Sequence, residues 1–69
     1  MTDNEMVIYR LCNENDWFTG GDNQAYGKLF KLAKNYMPAS IIAYCIWMVS
    51  DDTYMDIYNT IKKSDYTEK

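Results

Sequence analysis

Two cysteines and no histidine bound the chemistry open to this 69-residue chain. A cysteine nucleophile ordinarily needs a base beside it, and no imidazole is present to act as one. Cys12 and Cys45 both fall on apolar stretches, where a thiol stays protonated and unreactive. Two thiols with scattered carboxylates make a poor metal clip, and the zinc patterns built on histidine are absent. Asp51 and Asp52 are adjacent carboxylates, but a helix start explains them better than general acid–base work. No enzymatic activity, metal or cofactor is expected.

What remains is the chemistry of contact. Lys28, Lys31 and Lys34 recur at three-residue spacing and form a solvated face or, in the alternative, a track for a phosphate backbone. Seven tyrosines, Tyr9, Tyr26, Tyr36, Tyr44, Tyr54, Tyr58 and Tyr66, are more than a small core hides. Tyrosine and tryptophan suit interfaces because they combine large area with a polar end. Asp51, Asp52 and Asp56, and separately Asp3, Glu5, Glu14 and Asp16, are candidate strips that imitate phosphates. The candidate partner-contact residues are Asp51, Asp52, Tyr54, Asp56, Tyr58, Trp17 and Tyr36.

These groups must be positioned by helices. Thr2-Asp3-Asn4-Glu5 reads as a capping box opening a helix to about Asn13, with Val7, Ile8, Leu11 and Cys12 inward. Trp17 and Phe18 precede a glycine turn and are expected to pack back under the helices as an anchor. Asp22, or in the alternative Thr19, is the next N-cap. A second helix spans about Asn23 to Tyr36 with the stripe Tyr26, Leu29, Phe30 and Ala33. Gly27 inside it costs about 1 kcal/mol relative to Ala, which a close helix crossing would explain.

Pro38 breaks that helix or opens the next, with Ser40 as the other candidate N-cap. The third helix, about Ala39 to Val49, contains no charge. A helix apolar on every side is expected to be buried on every side. In so small a fold, either it threads the centre or one face waits for a partner. Ser50 is expected to cap a fourth helix from about Asp52 to Lys63, with Tyr54, Ile57, Tyr58 and Ile61 inward. Ser64 to Lys69 is expected to fray.

The fold class is therefore all-α, a compact bundle of about four short helices around an apolar third one. A core in a chain this short supplies only about 3–5 kcal/mol, so tight packing or self-association is the expected support. The net charge of −3 disfavours a general nucleic-acid binder and an anionic membrane surface. The longest apolar run, Ile41 to Val49, is too short to span a bilayer. The polar, acidic stretch Met1 to Glu5 is unlike a signal peptide. A cytoplasmic protein with reduced thiols is the expectation.

The strings Trp17-Phe18-Thr19-x-Gly, Tyr26-x-Lys28-Leu29-Phe30 and Ile46-Trp47-x-x-Ser50-Asp51 resemble a group of short proteins from phages and mobile elements of Gram-positive bacteria. The resemblance spans residues 8–57 and rests on aromatic, structural positions. It implies an accessory protein that binds and inhibits a host defence nucleoprotein complex, in the manner of anti-CRISPR proteins, with no catalytic residues to carry over. The alternatives are a small dimeric nucleic-acid-binding regulator using Lys28, Lys31 and Lys34, and a module that self-associates through the third helix.

Overall fold

The computed structural model describes residues 2–18 and 23–69. Four helices follow one another: α1 Asp3–Glu14, α2 Asn23–Lys34, α3 Ala39–Trp47 and α4 Tyr54–Lys63. No strand occurs among the described residues. Each helix packs on its neighbour in sequence, α1 on α2, α2 on α3 and α3 on α4. The glycine turn and the N-cap expected at Asp22 or Thr19 lie outside the described residues.

The start of α1 is the capping box read from its sequence. The Glu5 N–H donates to Thr2 Oγ1 at 3.3 Å, and Thr2 N–H reaches Glu5 Oε1 at 3.4 Å. Val7, Ile8, Leu11 and Cys12 face inward as their spacing requires. They meet Leu29 and Ala33 of α2, Ala39, Ile42, Ala43 and Ile46 of α3, and Ile57 and Ile61 of α4. Side chains such as Ile8, Leu29 and Ile57, at 0% exposure, each contribute about 1.5–3 kcal/mol of transfer energy.

Two helices end without glycine, which left their boundaries open in the sequence. After α1, Asp16 takes φ 54°, and Trp17 N–H turns back to Cys12 O at 3.1 Å. After α2, Tyr36 takes φ 58°, with Tyr36 N–H on Ala33 O at 3.0 Å and Met37 N–H on Leu32 O at 3.2 Å. Each is a left-handed C-terminal cap followed by an apolar residue that folds back onto the helix. Aspartate tolerates this conformation, whereas a tyrosine there is an outlier held by its surroundings.

The structure revises four local expectations. Gly27 is not at a close crossing, because a Cβ there would meet nothing within 4 Å. Pro38, not Ser40, is the N-cap of α3 and offers no side-chain bond. Thr53, not Ser50, caps α4, its Oγ1 accepting from Asp56 N–H at 3.2 Å. Asp51 and Asp52 therefore lie in the preceding loop, and Asp56 is the first-turn carboxylate.

The fourth revision concerns the tail, which is bonded rather than frayed. Thr67 N–H donates to Asn4 Oδ1 at 2.9 Å, and Asn4 Nδ2 donates to Thr67 O at 2.8 Å and Ala33 O at 3.1 Å. Tyr66 Oη donates to Met37 O, and Lys69 N–H to Tyr36 O at 2.9 Å. Glu68 Oε1 accepts from Ala39 N–H at 3.0 Å, so the tail supplies the N-terminal cap that Pro38 cannot. These bonds reach across the fold, which is why local pattern did not show them.

Candidate protein-contact surface

The absence of charge in α3 resolves into two faces. Ala39, Ile42, Ala43 and Ile46 point into the core. Ile41, Tyr44 and Trp47 point outward, with the exposed Met48 and Val49 just beyond the helix end. Of the two alternatives the sequence leaves open, α3 does not thread the centre of the fold; one face is buried and the other is exposed. At about 100° per residue the outward set occupies a continuous strip, broken only by the hydroxyl of Ser40. Tyr44 and Trp47 form a tilted aromatic pair, with ring centroids 5.9 Å apart and planes at 50°. Exposed apolar surface of this kind in a contiguous patch marks an interaction site more often than scattered apolar residues do.

Next to this strip, α2 and α3 leave a shallow cleft of about 200 Å³ lined by Ala25, Lys28, Tyr44, Cys45, Met48 and Val49. A second groove, about 550 Å³, runs between α1 and the tail past Asp3, Met6, Tyr9, Arg10, Asp65 and Thr67. Met6 and Tyr9 are its exposed apolar walls.

The residues grouped from sequence as a partner surface do not all stay exposed. Trp17 is 1% exposed and belongs to the core, so it is withdrawn as a contact residue. Its role is the anchoring one: Nε1 donates to Asp52 Oδ2 at 2.8 Å, tying the loop after α1 to the loop before α4. Asp52 is exposed, with its Oδ2 engaged in that bond. Tyr54 and Tyr58 are half-buried and stacked at 5.9 Å, and Tyr54 Oη donates to Ser40 O at 3.4 Å. Asp51 and Asp56 remain exposed beside the start of α4. Tyr36 is exposed in the α2–α3 turn, with its carbonyl occupied by Lys69.

The acids near α1 also have structural employment. Glu5 closes the capping box, Glu14 pairs with Arg10 at 3.7 Å, Asp3 lies in the first turn, and Asp16 forms the left-handed cap.

The Cys12 thiol shows no activating surroundings. Burial pushes the Cys12 thiol up to about 12, far from the range of a reactive thiolate. Cys45 is partly buried, and both cysteines are free. Among the described residues, no three Cys, Asp or Glu groups converge as a metal site would require. Burial, and then the Glu68 charge, pushes the Tyr66 hydroxyl up to about 12. Burial also raises Tyr26, which stacks on Phe18 at 4.1 Å.

One signal is visible in the sequence only when charge is counted by segment. Asn23 to Ser50, which forms α2 and α3, carries Lys28, Lys31 and Lys34, while all ten carboxylate side chains lie outside it. The overall charge of −3 conceals a basic half that bears the apolar strip and an acidic half that does not. Lys28 sits at the cleft, and Lys31 and Lys34 continue along the exposed side of α2.

No helix among the described residues is long and apolar enough to cross a membrane. The chain matches no protein-family model, no curated protein and no solved structure.

Proposed function

We propose that this protein works without catalysis, by holding a protein partner on the outer face of α3. The observation that carries the reading is that half of an uncharged helix stays exposed in the folded chain, as Ile41, Tyr44, Trp47 and Met48. Aromatic residues and methionine are enriched at protein interfaces, and lysine and carboxylates are depleted from interface centres. Lys28, Lys31 and Lys34 favour a nucleic-acid partner less, because the strip beside them has no Arg, Lys, Asn or Gln to read base edges.

The resemblance to phage and mobile-element proteins gives the reading a specific form: inhibition of a host defence nucleoprotein complex in the bacterial cytoplasm. A photo-crosslinking residue at Met48 tests the general reading in cells, with the exposed Asn59 of α4 as the control position. Adducts to a protein from Met48 and not from Asn59 are expected, and equal labelling from both overturns the reading. A plasmid-interference assay with a co-expressed RNA-guided nuclease tests the specific form. Undiminished interference across such nucleases overturns the inhibitor and leaves the contact face standing.

A further inference from the structure

We infer that residues 65–69 are a strap that holds the connection between α2 and α3 in a strained conformation, and that its release lets Tyr36 swing to an ordinary backbone conformation and loosens the first turn of α3. This two-position device stands whatever the outer face of α3 holds.

Three of the strap's bonds land on one short stretch. Lys69 N–H donates to Tyr36 O at 2.9 Å, Tyr66 Oη donates to Met37 O, and Glu68 Oε1 accepts from Ala39 N–H at 3.0 Å. The residue they skip, Pro38, has no N–H to offer, and its carbonyl already accepts from Ile41 and Ile42. The clamp of Asn4 on both the N–H and the carbonyl of Thr67 fixes the register in which the strap lies.

The strain sits in that same stretch. Tyr36 at φ 58° is left-handed, and with the residue 42% exposed, packing of its side chain does not compensate. Its neighbours on the α3 side cannot share the adjustment. Met37 precedes a proline and is confined to extended conformations, and the proline ring fixes φ at Pro38, at −55°. The adjustment falls to Tyr36, where a return to ordinary negative φ turns the chain by roughly 120°.

The strap can leave without the core. Among the described residues the buried apolar core ends at Ile61, and of the tail only Tyr66 packs against it, partly buried. The rest of the hold is polar and borders water, where each bond competes with solvation and is worth little net. Segments held in this way open below the free energy of global unfolding. Ser64, the C-cap of α4 with ψ −177°, is the extended joint about which the strap turns.

Hydrogen exchange by NMR on the full chain, in urea below the unfolding transition, tests the device. The Ala39, Thr67 and Lys69 amides are expected to exchange through one shared opening, faster than amides in the middle of α1 and α4. Tyr66→Phe is expected to speed all three about fivefold, although the hydroxyl it removes bonds to none of them. Tyr36→Gly is expected to slow all three about fivefold, because a glycine has no strain to release on opening. Thr67→Pro cannot donate to Asn4 and is expected to open the strap in a folded chain. The one-bond Cα–Hα coupling of Tyr36 is then expected to move to the value of a negative φ.

Separate rates for the three amides mean ordinary fraying. Exchange of all three only with the core, or a Thr67→Pro chain that unfolds outright, means that the strap is inseparable from the fold. Strap amides unmoved by Tyr36→Gly while core amides slow, or a Tyr36 kept at positive φ in Thr67→Pro, means that the Met37 N–H bond to Leu32 O holds the turn without the strap. Each of these results overturns the inference.

Discussion

On the inner side of α3, Ala39, Ile42, Ala43 and Ile46 are at most 1% exposed; on the outer side, Ile41, Tyr44, Trp47 and Met48 are 38–63% exposed. Hydropathy does not separate the two sides, since neither carries a charge. Shape and chemistry do. The inner residues are small or β-branched, with few rotamers to lose, and they fill space between α2 and α4. The outer ones are mostly long, polarizable or aromatic, and two end in a polar atom that remains content in water. A helix read as uniformly apolar is therefore two surfaces, one packed into the core and one left exposed.

The sharpest way to break this comparison is to truncate each side. Ile46→Ala is expected to lower stability by about 2–5 kcal/mol in urea titration, enough to unfold much of so small a fold. Comparable losses from outer-face truncations would erase the distinction. The inner face is also held from the tail side. Asn4→Ala, which removes three bonds to Ala33 and Thr67, is expected to lower stability by about 1–3 kcal/mol and to speed exchange of the Thr67 amide.

Tyr36→Gly works in the other direction. Relieving the left-handed tyrosine just before α3 is expected to raise stability by about 1 kcal/mol, read as an upward shift in the urea midpoint. On the outer face, Trp47→Gln is expected to change stability by less than about 0.5 kcal/mol while reducing crosslinking from Met48.

The smallest effect concerns the cap on α3. The Ala39 N–H holds the Glu68 carboxyl below the ordinary carboxylate range, Lys62 adds to this, and partial desolvation opposes it. The stability this gives is present above the ordinary carboxylate value and lost as pH falls through the lowered one. Wild type is expected to lose slightly more stability than Glu68→Gln between neutral and acid pH, in parallel thermal melts.

What was legible depended on range. The Thr2–Glu5 box lies within one turn and could be read directly. So could the stripes of α1 and α2, because periodicity needs only neighbours. The start of α4 was misread because Ser50-Asp51-Asp52 resembles a cap as well as Thr53-x-x-Asp56 does; the Trp17 bond that engages Asp52 comes from 35 residues away. Tyr36 gives no local sign of a left-handed turn, since Met37, Pro38 and the tail impose it. Of the exposed apolar strip, the uncharged helix and the chance of one uncovered face were visible, and which residues form that face was not. The lysine-only segment was visible but lost in the net charge.

The pairing of Asn4 with Thr67 joins positions 63 residues apart. It ties the last residues to the first helix, beside the core that all four helices share. Releasing the tail uncaps α3 and frees the start of α1 together, so the ends do not open independently, and local fraying becomes a single cooperative event.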